Sequence, residues 1–204
     1  MIAVIDYGMG NLHSVINALE KIGAPCVLTN DPKVLEEADK LILPGVGAFP
    51  DCMKNLEAHG LIEVLHKEVI EKKKPLLGIC LGMQALFEES DEIQLTKGLG
   101  FLPGRIEKME DTDVKIPHIG WNLLEANMYH PIFDRMSTSP FMYYVHSYFV
   151  QGYVDAHVLG YSQYGSLKIP GLLRKDNILG AQFHPEKSGE DGLSILTYFK
   201  EEFV

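Results

Sequence analysis

Short apolar runs alternate with helix-length segments through the first eighty residues, and this alternation confines the chain to an α/β architecture. The runs are IAVID (2–6), PCVLT (25–29), KLILP (40–44) and PLLGIC (75–80). Between them lie NLHSVINALEKIG (11–23), with apolar residues at helical spacing, and DPKVLEEA (31–38), opened by a capping Asp31 and Pro32. The glycine loop PGVGAFP (44–50) and the amphipathic stretch GLIEVLHKEVIEKKK (60–74) follow the third run. Strands joined through helices pair in parallel, with right-handed crossovers. The fourth run has no polar alternation, which is the composition of a strand buried on both faces.

The second half changes character. FLPGRIEKME (101–110), VKIPHIGWNLLE (114–125), FMYYVHSYFV (141–150), HVLGYSQYG (157–165) and GLLRKDNILGAQFH (171–184) all read as strands, with KDN as a hairpin turn. GEDGLSILTYFKEEF (189–203) closes the chain as a helix. No linker or repeat divides the halves, so the expectation is one domain over residues 1–204: a central, mostly parallel sheet flanked by helices, with an antiparallel extension. The net charge of −10, from 18 basic and 28 acidic residues, argues against a nucleic-acid partner, because phosphate contacts need a basic face. No apolar run is long enough to span a membrane. MIAVIDYGMGN lacks a basic leader and reads as a first strand. The cysteines Cys26, Cys52 and Cys80 form no CxxC pair, which points away from disulfides and structural metal and towards a reducing, cytoplasmic setting. No cofactor motif is present.

The most informative cysteine stands where the fourth run bends, in G-x-C-x-G, with Cys80 between Gly78 and Gly82. A strand turning sharply into a helix at such a motif presents its central side chain above the sheet, as a nucleophile elbow does. A helix beginning near Leu81 would aim N–H groups at a thiolate. The same pentapeptide also fits a core cysteine at a strand end. Of eight histidines, His184 is distinguished by its setting, QFHPEKSG, at the end of an apolar run. In extended chain His184 and Glu186 point the same way, so the carboxylate can orient the imidazole while its other nitrogen serves the thiol. Gly45 and Gly47 sit in a loop able to turn N–H groups towards a developing negative charge, and the N–H of Leu81 is the natural second donor.

These pieces resemble the class I, or triad, glutamine amidotransferases, whose flavodoxin-like fold is the one expected here. DYGMGN (6–11), LPGVGAF (43–49), GICLGMQ (78–84), PHIGWN (117–122), VHSY (145–148) and QFHPEKSG (182–189) together resemble the glutaminase subunits of imidazole glycerol phosphate synthases, over essentially the whole chain. The resemblance implies a catalytic Cys80, His184 and Glu186, with a γ-glutamyl thioester formed at Cys80. It implies an oxyanion site near Val46, Gly47 and Leu81, and substrate contacts from Gly47, Gln84, His146, Ser147 and Tyr148. It also implies a partner, a (β/α)8-barrel cyclase subunit that receives ammonia and forms a heterodimer. Asn11, Trp121, Tyr143 and Lys187 are the candidates for the face that meets it, although Trp121 and Tyr143 also suit a core and Lys187 a solvated charge.

Three other readings fit parts of the pattern. A paralogous glutaminase could feed a related barrel in surface-sugar synthesis. A flavodoxin-like binding module would need no triad. A cysteine peptidase would share the nucleophile but cleave peptides.

Overall fold

The structure is a computed structural model that describes residues 1–111 and 113–204. Its first half contains strands β1 (Ile2–Ile5), β2 (Cys26–Thr29), β3 (Lys40–Leu43) and β4 (Leu76–Ile79). Helices α1 (Leu12–Lys21), α2 (Pro32–Glu37), α3 (Phe49–Ala58), α4 (Leu61–Leu65) and α5 (Leu81–Gln84) connect or follow them. The expected caps are present on α2: Asp31 accepts from the N–H of Lys33 at 2.9 Å and Pro32 occupies the first turn. Helix α3 was not expected. Its Phe49–Pro50 start reads as the tail of a glycine loop, but proline is compatible with a first helical turn, where no N–H is needed. The stretch after α4 widens into a π-helical segment at His66–Glu71, which ends the expected long helix before Lys74.

The second half adds β5 (Glu89–Ser90), β6 (Thr96–Lys97), β7 (Arg105–Lys108), β8 (His118–Leu123), β9 (Glu125–Ala126), β10 (Phe141–His146), β11 (Tyr148–Gln151), β12 (Val158–Tyr164), β13 (Leu167–Lys175) and β14 (Ile178–Ala181). Helices α6 (Pro131–Asp134) and α7 (Gly189–Glu201) complete it. The principal sheet has eight strands in the order β2-β1-β3-β4-β14-β13-β12-β9. The first five are parallel and the last three antiparallel, which is the parallel sheet with an antiparallel extension. FMYYVHSYFV is not one strand: it breaks at Ser147, β10 pairing with β8 as a two-stranded ribbon and β11 joining β7 in a smaller sheet.

Both faces of the main sheet are covered. Ala3, Ile5, Leu41 and Leu43 pack with Leu35, Phe49, Leu56 and Leu65 of α2, α3 and α4. Their strand neighbours Ile2, Val4 and Ile42 point the other way, against Val15 and Leu19 of α1 and Ile195 and Phe199 of α7. Period-two alternation thus gives each strand two apolar faces, and each such side chain contributes about 1.5–3 kcal/mol on burial. The β13–β14 hairpin turns at Asp176, whose φ is 50°. Asn177 fastens the hairpin by donating to the carbonyls of Val69 at 2.9 Å and Lys74 at 2.8 Å. That anchor sets β14 beside β4, although about a hundred residues separate them in sequence.

Candidate active site

The site lies at the carboxyl ends of three adjacent parallel strands, where open α/β sheets bind ligands. β3 runs into the glycine loop, β4 ends at Cys80, and β14 leads through Gln182 and Phe183 to His184. Ile79 is level with Ala181 across the β4–β14 ladder, and the Cys80 N–H donates to the Ala181 carbonyl at 2.7 Å. The loop, the cysteine and the histidine therefore meet because their strands are neighbours.

Cys80 has φ 52° and ψ −111°, a conformation that a residue with a side chain rarely adopts. This strained turn is the backbone geometry expected of a nucleophile elbow. Gly82 makes the bend possible: a Cβ there would lie 1.8 Å from the Leu43 carbonyl oxygen, so α5 seats directly on the end of β3. The helix is a single turn, and its dipole is accordingly small. What it offers the site is the N–H of Leu81, which has no carbonyl within the helix to bond. In the facing loop Gly47 has φ 112°, while the buried Tyr7 hydroxyl braces the loop by donating to the Pro44 carbonyl at 2.8 Å.

The imidazole of His184 is 1% exposed, and its Nδ1–H donates to Glu186 Oε1 at 2.8 Å. Burial alone would lower the pKa of this histidine. Interaction with the Cys80 sulfur and the Glu186 carboxylate outweighs burial and raises it to about 10. The two neighbours therefore favour the protonated imidazole. Among the described residues, its Nε2 and Glu186 Oε2 are buried with no hydrogen-bond partner within ordinary bonding geometry. Cys80 acts on this imidazole from the Nε2 side, opposite Glu186, so the Nε2 proton is held towards the sulfur and the reacting atoms.

Val46, Gly47, Cys80, Leu81, Gln84, Val145, His146, Ser147, Tyr148 and Lys187 line one cleft of about 500 Å³, with Pro117 and Glu92. Every expected oxyanion and substrate residue is therefore at this cleft. The roles open to two of them are narrowed. Both amide hydrogens of Gln84 are engaged, by the Tyr148 carbonyl at 2.9 Å and Gln182 Oε1 at 3.1 Å, so only its Oε1 can meet a substrate. Both ring nitrogens of His146 are also engaged, with the Tyr148 carbonyl at 2.8 Å and His118 Nδ1 at 3.0 Å, so it presents ring surface. Sequence reasoning missed Glu92, His118 and Gln182. Glu92 accepts from the Phe49 N–H at 2.7 Å, and burial raises its pKa, yet nothing in SDEIQLT marks it as a cleft residue. Gln182 stood within a quoted motif without a role.

Of the four residues expected at a partner face, Trp121 is 56% exposed and so is not core. It stands opposite Tyr143 across the β8–β10 ribbon, ring edge to face, with centroids 5.9 Å apart. Ile119, Phe141 and Val145 continue this exposed apolar face to the cleft. Lys187 is exposed at the cleft, and Asn11 caps α1 without a side-chain bond to its helix. The Tyr143 backbone is tied to the base loop, its carbonyl accepting from the His184 N–H at 2.9 Å and its N–H donating to Ser188 Oγ at 3.0 Å.

A strained cysteine, an oriented histidine and a glycine loop at the carboxyl ends of neighbouring parallel strands are the arrangement expected of a class I glutamine amidotransferase. Residues 3–201 match the family described as glutamine amidotransferase class-I, and the chain belongs to that family. Within it, the chain is 52% identical over 200 residues to a Bacillus cereus protein named imidazole glycerol phosphate synthase subunit HisH, covering 98% of this chain and 94% of the relative. A Bacillus velezensis protein of the same name is 48% identical over 204 residues, with 98% and 95% covered. A solved crystal structure of a glutamine amidotransferase shares the fold with a TM-score of 0.76 at 22% identity, covering 98% of this chain and 97% of the other.

The three thiols should differ sharply in reactivity. Cys52 is buried and its pKa is pushed up to about 12, while Cys26 is also raised, by partial burial and then by Glu20. A diazo-ketone glutamine analogue is expected to label Cys80 alone, as read by peptide mass spectrometry. Labelling spread over all three cysteines would remove the case for an activated nucleophile.

Proposed function

We propose that the chain is the glutaminase subunit of an imidazole glycerol phosphate synthase, hydrolysing glutamine to glutamate and ammonia in one domain over residues 1–204. The observation that carries this reading is Cys80 in a cleft that also holds a carboxylate, Glu92, with the buried His184–Glu186 pair on the strand beside it. Glutamine enters with its α-ammonium towards Glu92 and its side-chain amide over the sulfur. Cys80 attacks the amide carbon, and the oxyanion is received by N–H groups at Leu81 and the Val46–Gly47 loop. His184, already protonated, gives its proton to the departing ammonia. The resulting γ-glutamyl thioester is cleaved by water, whose proton the now neutral His184 takes up. Glu186 keeps the imidazole in the required tautomer throughout.

Ammonia released into water at neutral pH is mostly protonated and no nucleophile, so it is delivered within a complex. The partner is a cyclase subunit with a (β/α)8-barrel fold, seated on Trp121, Tyr143, Lys187 and Asn11 in a cytoplasmic heterodimer. It uses the ammonia in histidine biosynthesis, forming imidazole glycerol phosphate and an aminoimidazole carboxamide ribonucleotide. The relatives near 50% identity favour this reading over the surface-sugar paralogue.

The bonds from Tyr143 to the base loop give a partner on the ribbon a short route to the triad. A glycine loop whose N–H rests turned away would cost roughly 10²–10³ in rate, so the isolated chain should turn over slowly. Glutamine hydrolysis is expected to rise by at least about tenfold when the cyclase subunit and its nucleotide are both added. Steady-state glutamate release measures this. If the complex forms but never turns over the histidine-pathway nucleotide, the paralogue is the better reading.

A further inference from the structure

We propose that Gln182 is a positioning residue for the nucleophile, its side-chain amide N–H held towards the Cys80 sulfur to steady the thiolate for attack. The proposal rests on the reading of Cys80 as the nucleophile, and it concerns a side chain that is fully buried beside the base strand. Gln182 follows Ala181, the residue that takes the Cys80 N–H, so its side chain stands level with the elbow on the adjacent strand. Its own N–H donates to the Gly171 carbonyl at 2.9 Å, which fixes its backbone to β13.

The direction of the amide follows from a chain of obligatory donors. The Tyr148 carbonyl can only accept, so the Gln84 atom 2.9 Å from it is the amide nitrogen. That nitrogen then spends its second hydrogen on Gln182 at 3.1 Å, which must present Oε1. With Oε1 committed, Gln182 Nε2 is left facing Cys80 Sγ at 3.9 Å. A flipped Gln182 would set two NH₂ groups against each other, and a flipped Gln84 would set two oxygens together. The anchor carbonyl is doubly held, since His146 Nδ1 also donates to it at 2.8 Å.

The sulfur consequently has distinct neighbours for its two forms. The carbonyl of Val145, 4.0 Å away, can accept from the thiol. The amide of Gln182 can only donate, so it favours the thiolate. Hydrogen bonds to charged groups are the stronger kind, and a long N–H···S contact tightens when the sulfur carries charge. The placement also leaves the His184 Nε2 proton for the departing ammonia, because the sulfur's charge has a second donor.

The test uses the 204-residue chain and peptide-resolved alkylation of Cys80 by iodoacetamide across pH, together with glutamine kinetics. Gln182→Glu still accepts from Gln84 but cannot donate to the sulfur when ionised. Alkylation at pH 7 is expected to fall about ten- to hundredfold and to approach the unsubstituted chain at alkaline pH. The kcat should fall by a similar factor with KM within about threefold. Gln84→Glu, which does not touch the sulfur, should move alkylation in the same direction because the Gln182 amide loses its orienting donor. If Gln182→Glu does not fold, Gln182→Met supplies the same readout without a buried charge. Unchanged alkylation and kcat in a folded variant, or a loss of thermal stability alone, would overturn the proposal. Selective alkylation of Cys80 in the unsubstituted chain tests the nucleophile separately, so the two failures are distinguishable.

Discussion

Replacing Cys80 by alanine is expected to abolish glutamine-dependent synthesis in the assembled complex while leaving ammonium-dependent synthesis intact at alkaline pH. In the proposed mechanism the thioester forms on the Cys80 sulfur, so no residual route from glutamine is expected. The ribbon proposed to meet the partner is built from β8 and β10, to which Cys80 does not belong, so docking should survive. Alanine at an elbow with φ 52° keeps the same backbone demand as cysteine, so the substitution adds no new strain. Measuring both nitrogen sources on one mutant complex separates the functions. If the ammonium reaction also disappears, Cys80 is needed for assembly or for the partner's chemistry, and the division of labour proposed above is wrong.

His184→Ala is expected to lower glutaminase turnover by roughly 10⁶-fold, since it removes both acid and base. Glu186→Gln should cost roughly 10⁴-fold, because an amide in its place can hold the wrong tautomer and cannot stabilise the imidazolium. Wild-type rates in Glu186→Gln would remove that residue from the mechanism. The same variant has a titration signature. The His184 pKa is raised to about 10 against the pull of burial by Cys80 and Glu186, so its midpoint should drop in Glu186→Gln and in Cys80→Ala, as followed by NMR of the imidazole ring. A raised histidine pKa stabilises the fold fully below the ordinary imidazole value of about 6.5, and that contribution is lost as pH climbs towards 10. The stability gap between the parent chain and Glu186→Gln should therefore be widest near pH 6 and narrow on the alkaline side. A midpoint that does not move would place the source of the shift elsewhere.

Much of this was legible in the sequence where one local feature controls the outcome. The alternation of apolar runs with helical segments fixed the parallel sheet, since each strand's two faces are set by period two. G-x-C-x-G announced the elbow, because only glycine lets α5 seat on β3, as the 1.8 Å approach at Gly82 records. His184 and Glu186 were readable as a pair, but not for the reason expected: the chain is not extended there, and a 3₁₀ turn at Pro185–Lys187 brings the carboxylate to the imidazole. The missed helix at Phe49–Ala58 shows the limit of punctuation: a proline after a glycine loop marks either a loop or a first turn, and packing of Phe49, Cys52 and Leu56 decided for the turn.

What the sequence could not supply was adjacency. Nothing local tells that Ile178–Ala181 inserts next to Leu76–Ile79, about a hundred residues earlier, yet this pairing alone brings His184 to Cys80. The break at Ser147 was equally hidden, because a run of β-formers looks like one strand until two separate sheets compete for its halves. Glu92 and Gln182 gained meaning only in three dimensions, one as the carboxylate of the cleft and the other as the amide facing the sulfur. The residue types, and hence the chemistry, were written along the chain. The distances between them were set by strand order, which depends on burying both faces of a sheet whose strands are far apart in sequence.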